Sequence, residues 1–193
     1  MPRRTVDFGP GQYYHLYNRG VNRSLIFRER DDFLLTLRKI QGYLPELDLT
    51  VIAYCLMPNH YHILIHQNGD RAAGLLPQRV FNSYVKTFNN RYQRSGTLFE
   101  GRYEAIHVDD EAYLVYLCTY IHANPIKAGL VDDLRAWPYS NYLEWIDERD
   151  GTLVDREFVR AYFPEDGQYA RYVEDYVKAL IAWPDDVDRY CID

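Results

Sequence analysis

The sequence has few cysteines and no long apolar run. Three cysteines, Cys55, Cys118 and Cys191, occur in 193 residues, an odd number without metal-like spacing. This pattern excludes a disulfide framework and favours a reducing compartment. No stretch approaches the eighteen apolar residues of a membrane span, and no apolar segment follows Met1 to act as a signal peptide. We therefore expect a soluble cytoplasmic protein, long enough to bury a sizeable core.

The sequence also lacks an overall excess of basic charge, which a nucleic-acid-binding protein normally has. The net charge of −6 is unevenly distributed, however. Residues 1–107 carry 14 Lys and Arg against 9 Asp and Glu, whereas residues 108–193 carry 8 against 19. The asymmetry suggests a nucleic-acid-facing body with an acidic appendage, and a merely solvated acidic surface is the plainer alternative. The 19 tyrosines supply rings that stack on bases or fill a core.

The periodicity of apolar residues predicts an alternation of strands and helices. The predicted order is β-α-β-β-α-β followed by a long third helix, which indicates an α+β fold of the ferredoxin-like, split-βαβ type. Its antiparallel sheet has helices on one face, and the other face is left to be covered or to bind bases through exposed aromatic rings. Two more helical patterns, around 158–162 and 169–181, predict a C-terminal helical extension. The predicted strands are residues 13–19, 49–56, 60–67 and 97–108, and the predicted helices span 31–44, 77–92 and 109–129.

The stretch LMPNHYHILIH, residues 56–66, concentrates three of the six histidines in a predicted strand. Alternate side chains of a strand share a face, so His60 and His62 are neighbours. Two such imidazoles can close on one divalent ion if another element supplies a third ligand. The competing interpretation is a polar, solvent-facing strand. His66 shares the face but lies further along, which favours a structural or DNA-contacting role.

The third predicted helix carries Tyr120 and Asn124 one turn apart on one face. Presented to a metal-binding histidine pair, they would supply a nucleophile and a ligand for phosphodiester cleavage. A phenol with an ordinary pKa near 10 needs a polarising cation to attack at neutral pH. The alternatives are a core tyrosine and an asparagine that only precedes Pro125. His122 faces another side of the helix and is not expected to be a ligand.

Three segments, MPNHYHILI, GTLFEGRYEAIHV and YLCTYIHANPIKAGLV, resemble in order and spacing the single-tyrosine HUH transposases of the insertion-sequence type, and most of all their REP-associated tyrosine transposase branch. The resemblance covers residues 13–145. It implies the same ferredoxin-like fold, with His60 and His62 as metal ligands and Tyr120 as the nucleophile that forms a 5′-phosphotyrosine link to single-stranded DNA. It also implies Asn124 as the third ligand and Mg²⁺ or Mn²⁺ as the cofactor. The single-stranded DNA nuclease domain is then residues 1–136, and residues 137–193 form an acidic helical extension packed on it.

The expected activity is cleavage and rejoining of single-stranded DNA at hairpins formed by repetitive palindromic elements, by a monomer or a homodimer without membrane association. Two alternatives remain open. A non-catalytic nucleic-acid-binding module would use the same sheet, and a zinc hydrolase would use His60, His62 and His66 with a metal-bound water as nucleophile. A polar patch after the first strand is expected to contact DNA, with a solvated loop as its alternative. The expected DNA contacts are Asn18, Arg19, Asn22, Arg23 and Arg102.

Overall fold

A computed structural model describes residues 6–182, without the side chains of residues 180–182. Its centre is a four-stranded antiparallel sheet in the order β2-β3-β1-β4, which confirms the ferredoxin-like expectation. The strands are β1 (Gln12–Arg19), β2 (Leu49–Met57), β3 (His60–Gln67) and β4 (Glu104–Val108). The helices are α1 (Arg30–Leu47), α2 (Leu75–Arg91), α3 (Glu111–Lys127), α4 (Tyr142–Trp145), α5 (Arg156–Tyr162) and α6 (Gln168–Ala182).

One face of the sheet is covered by α1 and α2. The alternate residues Leu16, Ile63 and Ile65 are fully buried in a core that these two helices complete. At the start of α1, Glu29 and Asp32 form a capping box, which satisfies backbone N–H groups that have no partner within the helix. Because successive side chains of a strand point to opposite faces, the opposite set in β1 and β3, the histidines among them, lies on the other face.

That other face is covered by α3 and the C-terminal helices. Leu117 and Cys118 of α3 pack with Ala53 and Cys55 of β2 in a second core, to which α4, α5 and α6 contribute aromatic residues. The expectation of an exposed aromatic sheet face is therefore wrong. The reason is that α3 carries a second apolar surface and lies directly on the sheet, so stacking of DNA bases on this face is prevented.

Several predicted boundaries differ from the structure; α1, for example, continues through Pro45 to Leu47 instead of ending at residue 44. The strand expected at 97–108 is reduced to Glu104–Val108, because Phe99 instead bridges Gly20 and packs its ring against Tyr61 and Phe81. Helix α2 begins at Leu75, so Pro77 lies inside its first turn, where no helical partner exists for an N–H. The two C-terminal helices are confirmed, and the four-residue α4 was not predicted. Cys191 lies outside the described residues, and no helix among the described ones is both long and apolar enough to cross a membrane.

Asn141 joins the C-terminal extension to the sheet edge and to α3. Its Oδ1 accepts from the backbone N–H of Tyr54 at 2.8 Å and lies 2.9 Å from Nε2 of His122. Its Nδ2 donates to the carbonyls of Ile52 at 2.9 Å and Leu153 at 3.0 Å. An amide that is fully buried and makes four such contacts holds α3 in a fixed position on β2.

Replacing Asn141 with alanine is expected to lower the free energy of unfolding by about 3 kcal/mol, because several buried polar groups would lose their partners at once. Urea unfolding followed by circular dichroism measures the change. Asn68→Ala, at a residue whose contacts are exposed, is the control and should cost less than about 1 kcal/mol. A loss for Asn141→Ala no larger than that of the control would show that the network does not anchor α3.

Candidate active site

The two histidines of the HYH segment enter the site through a tight turn. Pro58 and Asn59 form the turn between β2 and β3, and His60 is the first residue of β3. His60 and His62 then point to the face covered by α3, with ring centroids 5.1 Å apart. His60 is 7% exposed and His62 is fully buried. The predicted pairing of these two rings is thus present.

Asn124 of α3 meets His60 across the gap between helix and sheet. Its Oδ1 lies 3.2 Å from Nε2 of His60. The amide is held in this orientation because its Nδ2 donates to the carbonyl of Tyr120 at 3.0 Å. On the far side of the His60 ring, Nδ1 lies 2.7 Å from Oδ1 of Asn59. Both ring nitrogens of His60 therefore face an amide oxygen, although a neutral imidazole can donate to only one of them.

Tyr120 lies one helical turn before Asn124 and contacts His62. The two rings are arranged edge to face with centroids 5.5 Å apart, and Tyr120 is only 2% exposed. The Nε2 atom of His62 is buried and has no hydrogen-bond partner among the described residues. The structure thus brings together all four side chains that the sequence singled out, two from β3 and two from α3.

Burial fixes the charge of the histidines in this cluster. Desolvation, and after it the neighbouring charges of His15, His60 and Lys127, hold the pKa of His62 well below its ordinary value. Desolvation alone lowers the pKa of His15 to about 3. Both rings are consequently neutral at pH 7 and can present a lone pair to a metal.

The arrangement suits a divalent cation. Neighbouring ligands of an octahedral ion with bond lengths of about 2.1 Å lie about 3.0 Å apart, close to the 3.2 Å between Nε2 of His60 and Oδ1 of Asn124. A cation there would be bound by Oδ1 of Asn124 and by Nε2 of His60, provided that the His60 ring carries its proton on Nδ1. Nε2 of His62 would be its third ligand atom. The described residues contain no cluster of three or more His, Cys, Asp or Glu side chains placed to hold a metal, so this candidate site depends on an amide as its third ligand.

His66 and His122 lie away from this cluster. His66 is four residues beyond His62, roughly 13 Å along the strand, and packs against Tyr13 with ring centroids 4.6 Å apart. It therefore does not complete a three-histidine zinc site with His60 and His62. His122 is buried between Tyr169 and Asn141, which occupy its two ring nitrogens, and its role is structural.

Two neighbours of the cluster were missed by the reasoning from sequence. Lys127 places its Nζ 5.6 Å from the centroid of the Tyr120 ring, where a positive charge favours phenolate and phosphate oxygens. It follows Tyr120 by seven residues, a helical spacing that signals a shared face. The second neighbour is His15, whose Nε2 lies 2.9 Å from Nδ1 of His62. His15 shares one face of β1 with Tyr13 and Tyr17, which the sequence indicates. Its position beside His62, however, depends on the order of strands in the sheet, which the sequence does not give.

The expected DNA contacts lie at the end of the sheet that holds His60. Arg19 of β1 is paired with His60 of β3. The loop after β1 contacts the β2–β3 turn, because the Gly20 N–H donates a 2.8 Å hydrogen bond to the Asn59 carbonyl. Asn22 and Arg23 are exposed in this loop. Arg19 itself forms an ion pair with Glu100 at 3.0 Å.

Asn18 and Arg102 line one groove beside this end of the sheet. Its volume is about 470 Å³, and Phe81, Phe99 and Tyr61 contribute aromatic surface to it. Asn18 also donates to the carbonyl of Gly101 at 3.2 Å, which connects β1 to the segment before β4. Arg102 is exposed at the rim. All five predicted DNA-contacting residues therefore lie near one end of the sheet, outside the buried cluster.

Known proteins resemble this chain in sequence and in fold. A protein of Haemophilus influenzae named as a REP-associated tyrosine transposase is 31% identical over 102 residues, 47% of this chain and 57% of that protein, so the match spans little more than half of the relative. The solved structure of a REP-associated tyrosine transposase bound to a REP hairpin superimposes with a TM-score of 0.65 at 15% identity, covering 80% of this chain and 94% of that one, which shows a common fold. A transposase from Deinococcus radiodurans matches with a TM-score of only 0.42, at 15% identity over 63% of this chain and 95% of that one.

The family match covers the whole sheet and reaches the cluster. A sequence model of the family described as "Transposase IS200 like" matches residues 10–124, from just before β1 to the asparagine of α3. The match thus includes more than half of the chain and confirms the resemblance that the three motifs indicate. This chain belongs to the IS200-like transposase family.

Proposed function

We propose that this protein cleaves and rejoins single-stranded DNA at hairpin-forming repeats through a covalent bond to Tyr120. The observation that carries the proposal is the meeting of four side chains at one point. His60, His62 and Asn124 present ligand atoms beside the ring of Tyr120, although they come from separate elements. Nε2 of His60 and Oδ1 of Asn124, which lie 3.2 Å apart, are both atom types that coordinate a divalent cation.

The chain's own residues account for the steps of the reaction. The Tyr120 oxygen attacks the scissile phosphorus, and its proton passes to solvent. A bond forms from that oxygen to phosphorus while the bond from phosphorus to O3′ breaks, and the departing O3′ takes up a proton to become a 3′-OH. In the rejoining step an incoming 3′-OH attacks the phosphotyrosine and releases the phenol. Lys127 stabilises negative charge near the phenol in both directions.

His60, His62 and Asn124 would hold Mg²⁺ or Mn²⁺, which when bound polarises the scissile phosphate. A set of two imidazoles and an amide oxygen leaves coordination positions for phosphate oxygens. Because Tyr120 is 2% exposed, a DNA strand reaches the phenol only if groups around it move on binding. Substrate entry is therefore expected to involve a local rearrangement of α3 or of the β2–β3 turn.

The proposed substrate class follows from the relatives. Both the Haemophilus influenzae protein and the solved structural relative carry the name of REP-associated tyrosine transposases, and the latter is bound to a REP hairpin. By analogy, this chain would act on hairpins of repetitive palindromic elements. Residues 1–136 would form the nuclease domain. Residues 137–193 would form a C-terminal extension, and its helices α4, α5 and α6 pack in one core with α3. The active unit would be a monomer or a homodimer.

Incubation with a labelled hairpin single strand and Mg²⁺ or Mn²⁺ tests the proposal. We expect a covalent protein–DNA adduct on a denaturing gel, together with a released strand that ends in 3′-OH. A non-catalytic binding module would bind the hairpin without cleavage. A hydrolase with a metal-bound water as nucleophile would cut the strand without an adduct. Either of these results would refute the proposed mechanism.

The DNA-contacting role of the loop after β1 makes a separate prediction. Arg23→Gln and Arg102→Gln are each expected to weaken hairpin binding by a similar factor for all sequences, because phosphate contacts carry no base information. Each substitution should reduce the slope of log affinity against log salt by about 0.7, the value for one phosphate contact on a single strand. Fluorescence anisotropy at several salt concentrations measures the slope. Arg160→Gln, on α5 of the C-terminal extension, is the control, and an equal effect there would contradict the assignment.

A further inference from the structure

His15 is a buried titratable residue for which the proposed reaction has no direct use. It lies in β1, is 1% exposed, and stacks on His62 with ring centroids 5.1 Å apart and an interplanar angle of 19°. Its Nε2 lies 2.9 Å from Nδ1 of His62, a good hydrogen-bond distance. Nδ1 of His15 is buried and has no hydrogen-bond partner among the described residues. The contact to His62 is therefore the hydrogen bond that accounts for a histidine at this position.

One proton is shared between these two facing nitrogens, and its position decides what His62 can do. A neutral imidazole has one N–H and one lone pair. If His15 donates, His62 must carry its own proton on Nε2, and that atom cannot bind a metal. If His62 donates from Nδ1, its Nε2 is left with a lone pair. Of the two arrangements, only the second is compatible with a cation between the sheet and α3.

We propose that His15 is a positioning residue that accepts the hydrogen bond from Nδ1 of His62 and so keeps Nε2 of His62 available as a ligand. The inference rests on the proposed function, because it assigns His62 to a metal. Partners of this kind fix the tautomer and the ring orientation of metal-binding histidines. His60 has a similar partner, since its Nδ1 faces the amide oxygen of Asn59 at 2.7 Å. Nδ1 of His60 thus contacts Asn59 in the β2–β3 turn, and Nδ1 of His62 contacts His15 in β1.

Stability alone does not explain His15. Either tautomer leaves its Nδ1 buried without a partner among the described residues, which is unfavourable for folding. Its neighbours across the two adjacent strands are apolar, Leu64 on β3 and Ile106 on β4. An apolar side chain would fill this position without an unsatisfied nitrogen of its own, and the atom that would then lose its partner is Nδ1 of His62. A polar ring here is better explained by the atom it contacts.

The tautomer of His62 can be measured without metal and without DNA. Long-range ¹H–¹⁵N correlation spectra of the histidine-labelled protein distinguish Nδ1–H from Nε2–H rings, and the His62 signals are assigned with a His62→Phe variant. We expect the Nδ1–H form for His62 in the wild type. In His15→Phe, which keeps a ring but removes the acceptor, we expect a shift to the Nε2–H form or to a mixture. A wild-type His62 in the Nε2–H form would overturn the inference.

Metal affinity gives the second readout. Calorimetric titration with Mn²⁺ alone is expected to show about 10- to 100-fold weaker binding for His15→Phe than for the wild type. His15→Gln can place an acceptor at the position of Nε2 and should restore most of the affinity. Tyr17→Phe is the matched control, because Tyr17 packs against both rings in tilted contacts but its hydroxyl is not part of the hydrogen bond. Equal affinity of wild type and His15→Phe would refute the positioning role.

The two readouts separate this inference from the proposed function. If the wild type binds no Mn²⁺ but His62 changes tautomer with His15 as expected, the metal-dependent reaction fails and the positioning role of His15 stands. If the wild type binds Mn²⁺ and neither His15 variant changes the tautomer of His62 or the Mn²⁺ affinity, the positioning role of His15 fails and metal binding at the proposed site stands. If the His15→Phe protein does not fold, the wild-type tautomer and the Mn²⁺ affinity of His15→Gln test the proposal instead. A His15→Gln protein that bound Mn²⁺ 10-fold more weakly despite an Nδ1–H tautomer of His62 would overturn the proposal.

Discussion

Replacing Tyr120 with phenylalanine is expected to abolish the covalent protein–DNA adduct. The substitution removes only the attacking oxygen, and the ring that packs edge to face on His62 is kept. Tyr17 of β1 also packs against His62, but at the longer ring-centroid distance of 6.1 Å. Because loss of a nucleophile removes the covalent route as a whole, adduct formation should fall by on the order of 10⁴-fold or more. A denaturing gel with end-labelled hairpin DNA measures the change.

The control is a second tyrosine on the same helix. Tyr116 lies one turn before Tyr120 and packs against Tyr176 of α6 rather than against the histidines. Tyr116→Phe should form the adduct at nearly the wild-type rate, and both variants should bind the hairpin. An adduct that persists in Tyr120→Phe would show that another residue is the nucleophile. Parallel loss of the adduct in Tyr116→Phe would point to a perturbed α3 instead.

The part of the site that could be predicted from the sequence is the part set by local periodicity. A strand repeats its faces every two residues, so His60 and His62 had to be neighbours wherever the strand lay. A helix repeats every 3.6 residues, so Tyr120 and Asn124 had to share a face. The succession of strands and helices along the chain followed from the same two periodicities. Each of these inferences depends on residues close together in the chain.

The part that could not be predicted depends on contacts between distant segments. The hydrogen bond between His15 and His62 joins residues 47 positions apart and exists only because β1 lies beside β3 in one particular register. Whether the second sheet face is covered or exposed could not be decided from the sequence for a related reason. Helical periodicity predicts one buried face, whereas residues Leu117 to Pro125 of α3 are all buried, between the sheet and the C-terminal helices.

The shortened fourth strand shows the same competition between local and long-range effects. Local propensity favours a strand through the whole of TLFEGRYEAIHV. In the structure, Phe99 is drawn into the aromatic cluster with Tyr61 and Phe81, and a strand continuing straight from β4 would not place it there. Gly101, with no side chain, lies within the segment that turns away from the sheet. Tertiary packing therefore overrides propensity, and the segment becomes one wall of the groove near Arg102.

Replacing His62 with phenylalanine is expected to eliminate metal-dependent cleavage while hairpin binding is kept. The aromatic ring preserves packing against Tyr120 and His15, but the lone pair on Nε2 is lost from the candidate metal site. A cation that polarises a phosphoryl oxygen supplies several kcal/mol of transition-state stabilisation. Its loss corresponds to a rate decrease of about a thousand-fold or more. Single-turnover cleavage at several Mn²⁺ concentrations measures the rate, and anisotropy measures binding.

His66→Phe is the matched control for this prediction, because it makes the same change on the same face of the same strand. His66 lies at the far end of β3, where its ring packs against Tyr13. Its substitution should leave both the cleavage rate and its dependence on Mn²⁺ near wild-type values. If both variants lost cleavage equally, the loss would have to be attributed to a perturbed β3 and not to the removal of one metal ligand. If His62→Phe cleaved at the wild-type rate, no cation bound through His62 would be needed for the chemistry, and the role of the buried Nε2 would have to be sought in folding instead.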